Sequence, residues 1–315
     1  MPVVVSDIPR PQPGPDQVLI DVTAAAVCRT DLQIANGDLP LHRCPVVPGH
    51  QVVGRIVGGP RAGTRVGLCW LAGSCGRCRQ CRDRRENLCE QAQFTGYDVD
   101  GGWAQQVVAR DAFAFDLPET AGPDTQVAPL LCGGVIGYRS LRVAGVGPES
   151  AGLRLGLYGF GASASLAVQI ARFWGVECYV VTRSEREVAR AVTLGAAWAG
   201  TYDDELPVPL DAAITFAPAA QIVVRALQDL DRGGVVAINA IHLDPVGPIR
   251  YEDLWWERQI RSVANVTRAD VQQFLSLIGL AGVRAAAEVL PLSQAEQALR
   301  RLDAGDVTGA FVLVP

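Results

Sequence analysis

The chain has 315 residues, 49% of them hydrophobic and 19% charged, enough for about two globular domains with a sizeable core. A net charge of −5 and a pI near 5.3 exclude the basic footprint of a nucleic-acid binder. No run reaches ~18 apolar residues, so no membrane span is expected; the start, Met1-Pro-Val-Val-Val-Ser-Asp7, lacks a basic, apolar leader, and the nine cysteines then read as reduced thiols and metal ligands of a cytoplasmic protein.

Pro9, Pro11, Pro13 and Pro15 predict an extended, stiff lead-in. Residues 1–130 then read as an all-β segment, with short β-branched runs at Val18–Ala24, Val52–Val57 and Thr64–Leu68 broken by Gly and Pro. Inside this segment lie Cys75, Cys78, Cys81 and Cys89, spaced C-x2-C-x2-C-x7-C among arginines. Four thiols this close suit a tetrahedral structural zinc, and the arginines favour the thiolate form. The rival readings are a disulfide pair or an iron–sulfur cluster; a C-x2-C-x2-C cluster run usually continues C-x3-C-P, and this one does not.

The texture changes after Pro129. A helix is predicted over Leu130–Val143, a strand over Leu153–Tyr158, and a helix over Ser165–Trp174. Strands at Glu177–Thr182, Ala212–Phe216 and Gly234–Asn239 alternate with helices at Glu185–Leu194 and Ala220–Leu230. Such alternation builds a doubly wound parallel sheet, an α/β architecture. From about Thr267 the tail reads as mainly helical, ending in a strand at Ala310–Val314.

Gly159-Phe-Gly161-Ala-Ser-Ala164 follows a predicted strand and opens a helix, the context a dinucleotide turn requires. Gly159 suits the tight turn, Gly161 lets a pyrophosphate approach the backbone, and Ala164 allows close helix–strand packing. The second strand ends Val181-Thr182-Arg183-Ser184 without the carboxylate of an NAD site. Arg183 can receive a 2′-phosphate, with Thr182 and Ser184 adding hydrogen bonds, which favours NADP(H) over NAD(H). For Ser184 the plainer reading is a capping box with Glu187.

Together, Cys28-Arg-Thr-Asp31, Gly49-His50, the four-cysteine loop, Phe94-Thr-Gly-Tyr-Asp-Val-Asp-Gly-Gly102, Pro129-Leu-Leu-Cys132 and the dinucleotide turn resemble the zinc-containing alcohol dehydrogenase branch of the medium-chain dehydrogenase/reductase superfamily. The likeness covers nearly the whole chain. It is nearest to tetrameric microbial alcohol dehydrogenases, through Trp70-Leu-Ala-Gly-Ser-Cys75 and the Thr-Gly-Tyr segment. It implies a β-rich GroES-like catalytic domain over 1–130 and 268–315, carrying the zinc loop at 73–90, and a Rossmann domain over 131–267.

The resemblance also implies a second, catalytic zinc held by Cys28, His50 and Cys132, so two zinc ions per chain. It implies Thr30 as the hydroxyl that passes a proton to or from the substrate oxygen, Arg29 as a contact for the cofactor pyrophosphate, and Asp31 as the group orienting the His50 ring. Trp70 and Tyr97 are placed near the substrate pocket, though either can simply be packing. The expected partner is a small alcohol or carbonyl compound, in a homo-oligomer, dimer or tetramer.

Three departures stand out. Gly49-His50-Gln51 replaces the family's Gly-His-Glu, Gln33 stands where a relay histidine is often found, and the family's first N-terminal strand is largely missing. The two amides leave open a specialised reductase of a C=C or C=N bond, and a third reading is a redox-inactive zinc- and nucleotide-binding protein. Of the remaining histidines, His242 is expected near the nicotinamide and His42 in a structural role. Cys44, Cys69 and Cys178 are expected as buried core thiols.

Overall fold

The structure, a computed structural model, describes residues 3–241, 243–307 and 309–315. His242 lies outside the described residues. The strands in chain order are β1 (Gln17–Ala26), β2 (Gln51–Val57), β3 (Arg65–Leu68), β4 (Leu71–Gly73), β5 (Gln93–Phe94), β6 (Gln106–Arg110), β7 (Phe115–Asp116), β8 (Arg154–Tyr158), β9 (Glu177–Thr182), β10 (Trp198–Thr201), β11 (Leu210–Thr215), β12 (Leu230–Ile238), β13 (Gln259–Ser262), β14 (Ala287–Pro291) and β15 (Ala310–Val314). They fall into two compact units. One comprises the chain up to Val135 with Asn265–Leu280 and Arg284–Pro315, the other Ile136–Ala264 with Ala281–Val283.

The first unit is organised by β1. Its alternation places Ile20 and Val22 in the core, a bulge between Val22 and Ala24 shifts the phase so that Ala25 follows them, and its ten residues are long enough to serve three partners. One edge pairs with β2 from Leu19 to Ala26; the other pairs with β6 in its first half and with β15 at Ala25 and Ala26. The sheet runs β14-β15-β1-β2-β3-β7, with β6 also on β1. Ile20, Val52, Val66 and Phe311 fill the core beneath it, each such side chain contributing ~1.5–3 kcal/mol on burial. Residues 3–14 form no strand, although Val3 packs against this core.

The segment 1–130 is not all β. A helix spans Arg29–Asn36, capped at its start by Cys28, whose backbone N–H donates to the Asp31 carboxylate at 2.9 Å. It ends at Gly37 in the left-handed conformation, φ 83°. The single helix predicted over Leu130–Val143 is two pieces. A 3-10 turn covers Ala128–Leu131 and an α-helix covers Gly133–Val143, with Cys132 at the break, φ −124° and ψ −72°. Gly134 is required there, since a Cβ would lie 2.5 Å from the Phe274 ring. The tail from Thr267 also holds β14, beyond the helices and final strand predicted for it.

The second unit is a six-stranded parallel sheet in the order β10-β9-β8-β11-β12-β13. Numbered from β8 this is 3-2-1-4-5-6, and the direction of winding reverses between β8 and β11, the place where such sheets open a crevice. Leu155, Leu157 and Tyr158 are fully buried, as expected of a strand covered on both faces. Arg154 ties the sheet together at its lower end, its guanidinium holding Asp211 at 2.6 Å and Asp231 at 3.2 Å. The helix after the dinucleotide turn begins at Ala162, three residues before the predicted start. Among the described residues no helix is long and apolar enough to cross a membrane.

Candidate active site

Three segments far apart in sequence meet in the first unit. Cys28 stands where β1 gives way to the helix Arg29–Asn36, His50 directly precedes β2, and Cys132 sits at the helix break. The ligand atoms of all three lie within 4.8 Å of one another, and the two sulfurs are 4.0 Å apart. Gly49 makes the approach of His50 possible. Its φ is 93°, and a Cβ would strike the Trp103 ring at 2.2 Å.

Asp31 is the hub behind this triad. It is buried, and its oxygens accept the N–H of Cys28 at 2.9 Å, the N–H of Gly49 at 3.3 Å and Nδ1 of His50 at 3.2 Å. Binding Nδ1 to a carboxylate fixes the ring and leaves Nε2 as the donor atom facing Cys28 and Cys132. Burial would lower the pKa of His50, but the Asp31 carboxylate and Cys28 raise it to about 10. The Cys132 hydrogen bond, working against burial and joined by His50, holds the Cys28 thiol well below its ordinary value, while Cys132 is held well above. Two sulfurs and one oriented imidazole suit a catalytic zinc, which keeps its fourth position for water or substrate.

Thr30 is buried, and its Oγ1 lies 3.9 Å from Cys28 Sγ. The Trp70 ring stands edge-on to His50 with centroids 5.0 Å apart, stacks on Phe94 at 5.1 Å, and lies 5.7 Å from Tyr97. Tyr97 is packing as well as wall, because its hydroxyl donates to the Pro40 carbonyl. Phe94 opens one of the family motifs, but only its stacking on Trp70 brings it to the site. Gln51 is buried opposite Ala26, Gln33 is half-buried, and Arg29 is exposed, its guanidinium 4.0 Å from Asp303.

The four-cysteine loop closes on itself. All four sulfurs lie within 4.8 Å of one another, with Cys78 and Cys81 3.5 Å apart and Cys75 and Cys81 3.9 Å apart. All four are free thiols, and those separations are far beyond the ~2.05 Å of a disulfide. Backbone N–H groups of Cys78, Cys81 and Cys75 point at the sulfurs of Cys75, Cys78 and Cys89 at 3.3, 3.5 and 3.5 Å. The N–H groups of Arg77 and Cys78 pull Cys75 down to about 6; against the lowering effect of the Cys81 N–H, burial and neighbouring sulfurs raise Cys78 to about 11. Four sulfurs this close ionise together only around a cation, so the donor set fits a structural zinc. Of the other cysteines, Cys69 and Cys178 are buried as expected, but Cys44 is exposed on the surface loop before Pro45. His42, also exposed, is pinned by Asp98 at 2.7 Å.

In the second unit Gly159 turns with φ 87°, where a Cβ would come within 3.0 Å of the Ala217 nitrogen. Gly161 caps the helix Ala162–Phe173, and a Cβ there would meet nothing within 4 Å. The helix N-terminus thus faces open space across a bare glycine, which fits a pyrophosphate. Ala164 is fully buried. At the end of β9, Ser184 accepts the Glu187 N–H at 3.4 Å as an N-cap, Arg183 is exposed, and the buried Thr182 hydroxyl donates to the Glu187 carboxylate. Thr182 is therefore already engaged, and the Glu187 carboxylate is given to it where the capping box expects that side chain on the Ser184 N–H.

Residues 14–119 match the alcohol dehydrogenase GroES-like domain. The chain is 46% identical over 316 residues to a probable alcohol dehydrogenase, AdhA, of Mycobacterium tuberculosis, covering 96% of this chain and 90% of that one. It is 31% identical to an alcohol dehydrogenase of Geobacillus stearothermophilus, over 98% of this chain and 94% of the relative. The fold superposes on a cinnamyl alcohol dehydrogenase of Sorghum bicolor with a TM-score of 0.87 at 26% identity, covering 98% of this chain and 92% of the other.

Proposed function

The chain belongs to the zinc-containing alcohol dehydrogenase family of the medium-chain dehydrogenase/reductase superfamily, and we propose that it interconverts a small alcohol and its aldehyde or ketone with a preference for NADP(H). The observation that carries the reaction class is the convergence of Cys28, His50 and Cys132 on one point, with the Thr30 hydroxyl 3.9 Å from Cys28. When bound, the zinc would supply Lewis acidity to the substrate oxygen, and the nicotinamide would give the hydride in reduction and accept it in oxidation.

The protein's own groups do the rest. Asp31 holds the His50 ring in one orientation, so the donor set is preformed. Trp70 and Phe94 form an apolar wall beside the imidazole and keep water from one side of the reacting centre. Thr30 hands a proton to the substrate oxygen in reduction and takes one in oxidation. A panel of aldehydes, ketones, activated alkenes and imines, assayed with both nicotinamides, tests the reading. Turnover of carbonyl compounds supports it, and turnover of alkenes or imines alone replaces it with the specialised reductase.

Gln33 cannot carry a proton at physiological pH. Gln33→His should therefore add an ionisation to the pH profile of kcat/KM, near pH ~6.5 before any local shift. An unchanged profile would place position 33 off the proton path.

The cofactor preference is carried by the exposed Arg183 at the end of β9. Arg183→Ala should weaken NADPH binding roughly tenfold or more while changing NADH little, the size of one charge-assisted phosphate contact. Tighter binding of NADH than of NADPH by the parent protein would refute it.

A further inference from the structure

The fold brings to the end of β9 a carboxylate that the strand itself lacks. Ser184 caps the helix Glu185–Thr193, and the first turn of that helix returns Glu187 to the strand end. There the hydroxyl of Thr182, a residue with no exposed surface, donates to Glu187. A carboxylate offers about four lone-pair sites, so this bond fixes the side chain and leaves acceptor capacity for a ligand.

One turn on, Arg190 sends Nη2 to Ser165 Oγ at 3.0 Å and lies 5.9 Å from the centroid of the Phe160 ring. Phe160 belongs to the dinucleotide turn and Ser165 to the first turn of the helix behind it. Arg190 therefore clamps the helix carrying Glu187 to the pyrophosphate cradle. The half-buried Tyr202 feels both charges beside it: burial and Glu187 push its phenol up, and Arg183 pulls it down. Glu187 and Arg183 thus flank one small region at the strand end.

We propose that Glu187 is a second determinant of cofactor specificity and opposes Arg183. It accepts the adenosine ribose 2′-hydroxyl of NAD(H) and repels the 2′-phosphate of NADP(H), so the site takes both cofactors and Arg183 tips the balance. The proposal rests on the reading that Gly159–Ala164 holds the dinucleotide.

The test is direct binding to the zinc-loaded protein, read by nicotinamide fluorescence for NADPH and NADH and by competition with 2′,5′-ADP and 5′-AMP. Glu187→Gln keeps an acceptor for Thr182 but removes the charge. It should tighten NADPH and 2′,5′-ADP roughly tenfold and weaken NADH and 5′-AMP several-fold, as expected when one charged contact is exchanged for a neutral one. Glu187→Asp keeps the charge and should leave NADPH and 2′,5′-ADP no tighter than in the parent. Thermal melts of both variants confirm that the fold is kept. If Arg183→Ala shifts the selectivity and Glu187→Gln does not, the proposal is overturned and the dinucleotide site stands. If the parent binds none of the four ligands, the dinucleotide reading and the proposal fall together.

Discussion

Cys132→Ser is expected to abolish most of the activity while leaving the fold intact. A serine hydroxyl does not ionise near neutral pH, so the donor set loses one of its two thiolates and keeps only Cys28 and His50. Zinc content should fall from about two per chain toward about one, the structural ion remaining. Lewis-acid stabilisation of this kind contributes several kcal/mol, so kcat/KM should drop by roughly three orders of magnitude. The change is small in volume, and Asp31 keeps its backbone partners at Cys28 and Gly49, so the melting temperature should move by only a few degrees. Metal analysis, steady-state kinetics and a thermal melt on the same preparation decide the matter. Retention of two zinc ions per chain together with full activity would remove Cys132 from the donor set.

The parts of the fold that sequence reveals are those buried on both sides. β8, β9, β11 and β12 are predicted within a few residues because their apolar runs are nearly continuous and bounded by turn residues. Among the strands that escape the reading, β10, β13 and β14 lie at sheet edges. Edge strands are short and carry polar or charged side chains that discourage further pairing, as Gln259, Arg261 and Glu288 do here. That chemistry erases the alternation by which a strand is recognised. The helix Arg29–Asn36 escapes for a different reason. Its N-cap is Cys28, a residue type outside the usual capping set of Ser, Thr, Asp and Asn, and that position is taken by a thiol facing the metal-ligating cluster.

The same conflict breaks the predicted helix Leu130–Val143 at Cys132: propensity favours continuing the helix, and the thiol's position favours turning. Both cysteine groups are legible because their spacing or family motif survives in one dimension. The opposite holds for Phe94, Glu187 and Arg190. Each acquires its significance only when a neighbour distant along the chain, or one helical turn away, is brought against it: Trp70 for Phe94, Thr182 for Glu187, Ser165 and Phe160 for Arg190. Glu187 in particular satisfies a local capping pattern so well that its side chain has no second signature in the sequence.

Cys89→Ser is expected to act in the opposite sense to Cys132→Ser, costing stability first and activity only as a consequence. The loop from Gly73 to Ala92 has little apolar core of its own. Its short helix Arg79–Arg82 has no buried residue, and it is fastened by the four sulfurs, by Arg110 reaching the Ser74 carbonyl at 3.2 Å, and by Glu86 accepting the N–H of Arg268 at 2.8 Å. Structural zinc sites contribute apparent binding free energies of ~10–16 kcal/mol in isolated peptides, so most of the loop's order depends on the ion. With three thiolates the affinity falls, zinc content drops by about one per chain, and the loop is released from its end at Cys89. A loss of several kcal/mol at ~2–4 °C per kcal/mol lowers the melting temperature by ~10 °C or more. Glu86→Gln, which keeps the four thiols and weakens only the tie to Arg268, should lower it by a few degrees without loss of zinc. Cys89→Ser protein that keeps its full melting temperature after losing that zinc would show that the loop is held by its protein contacts alone.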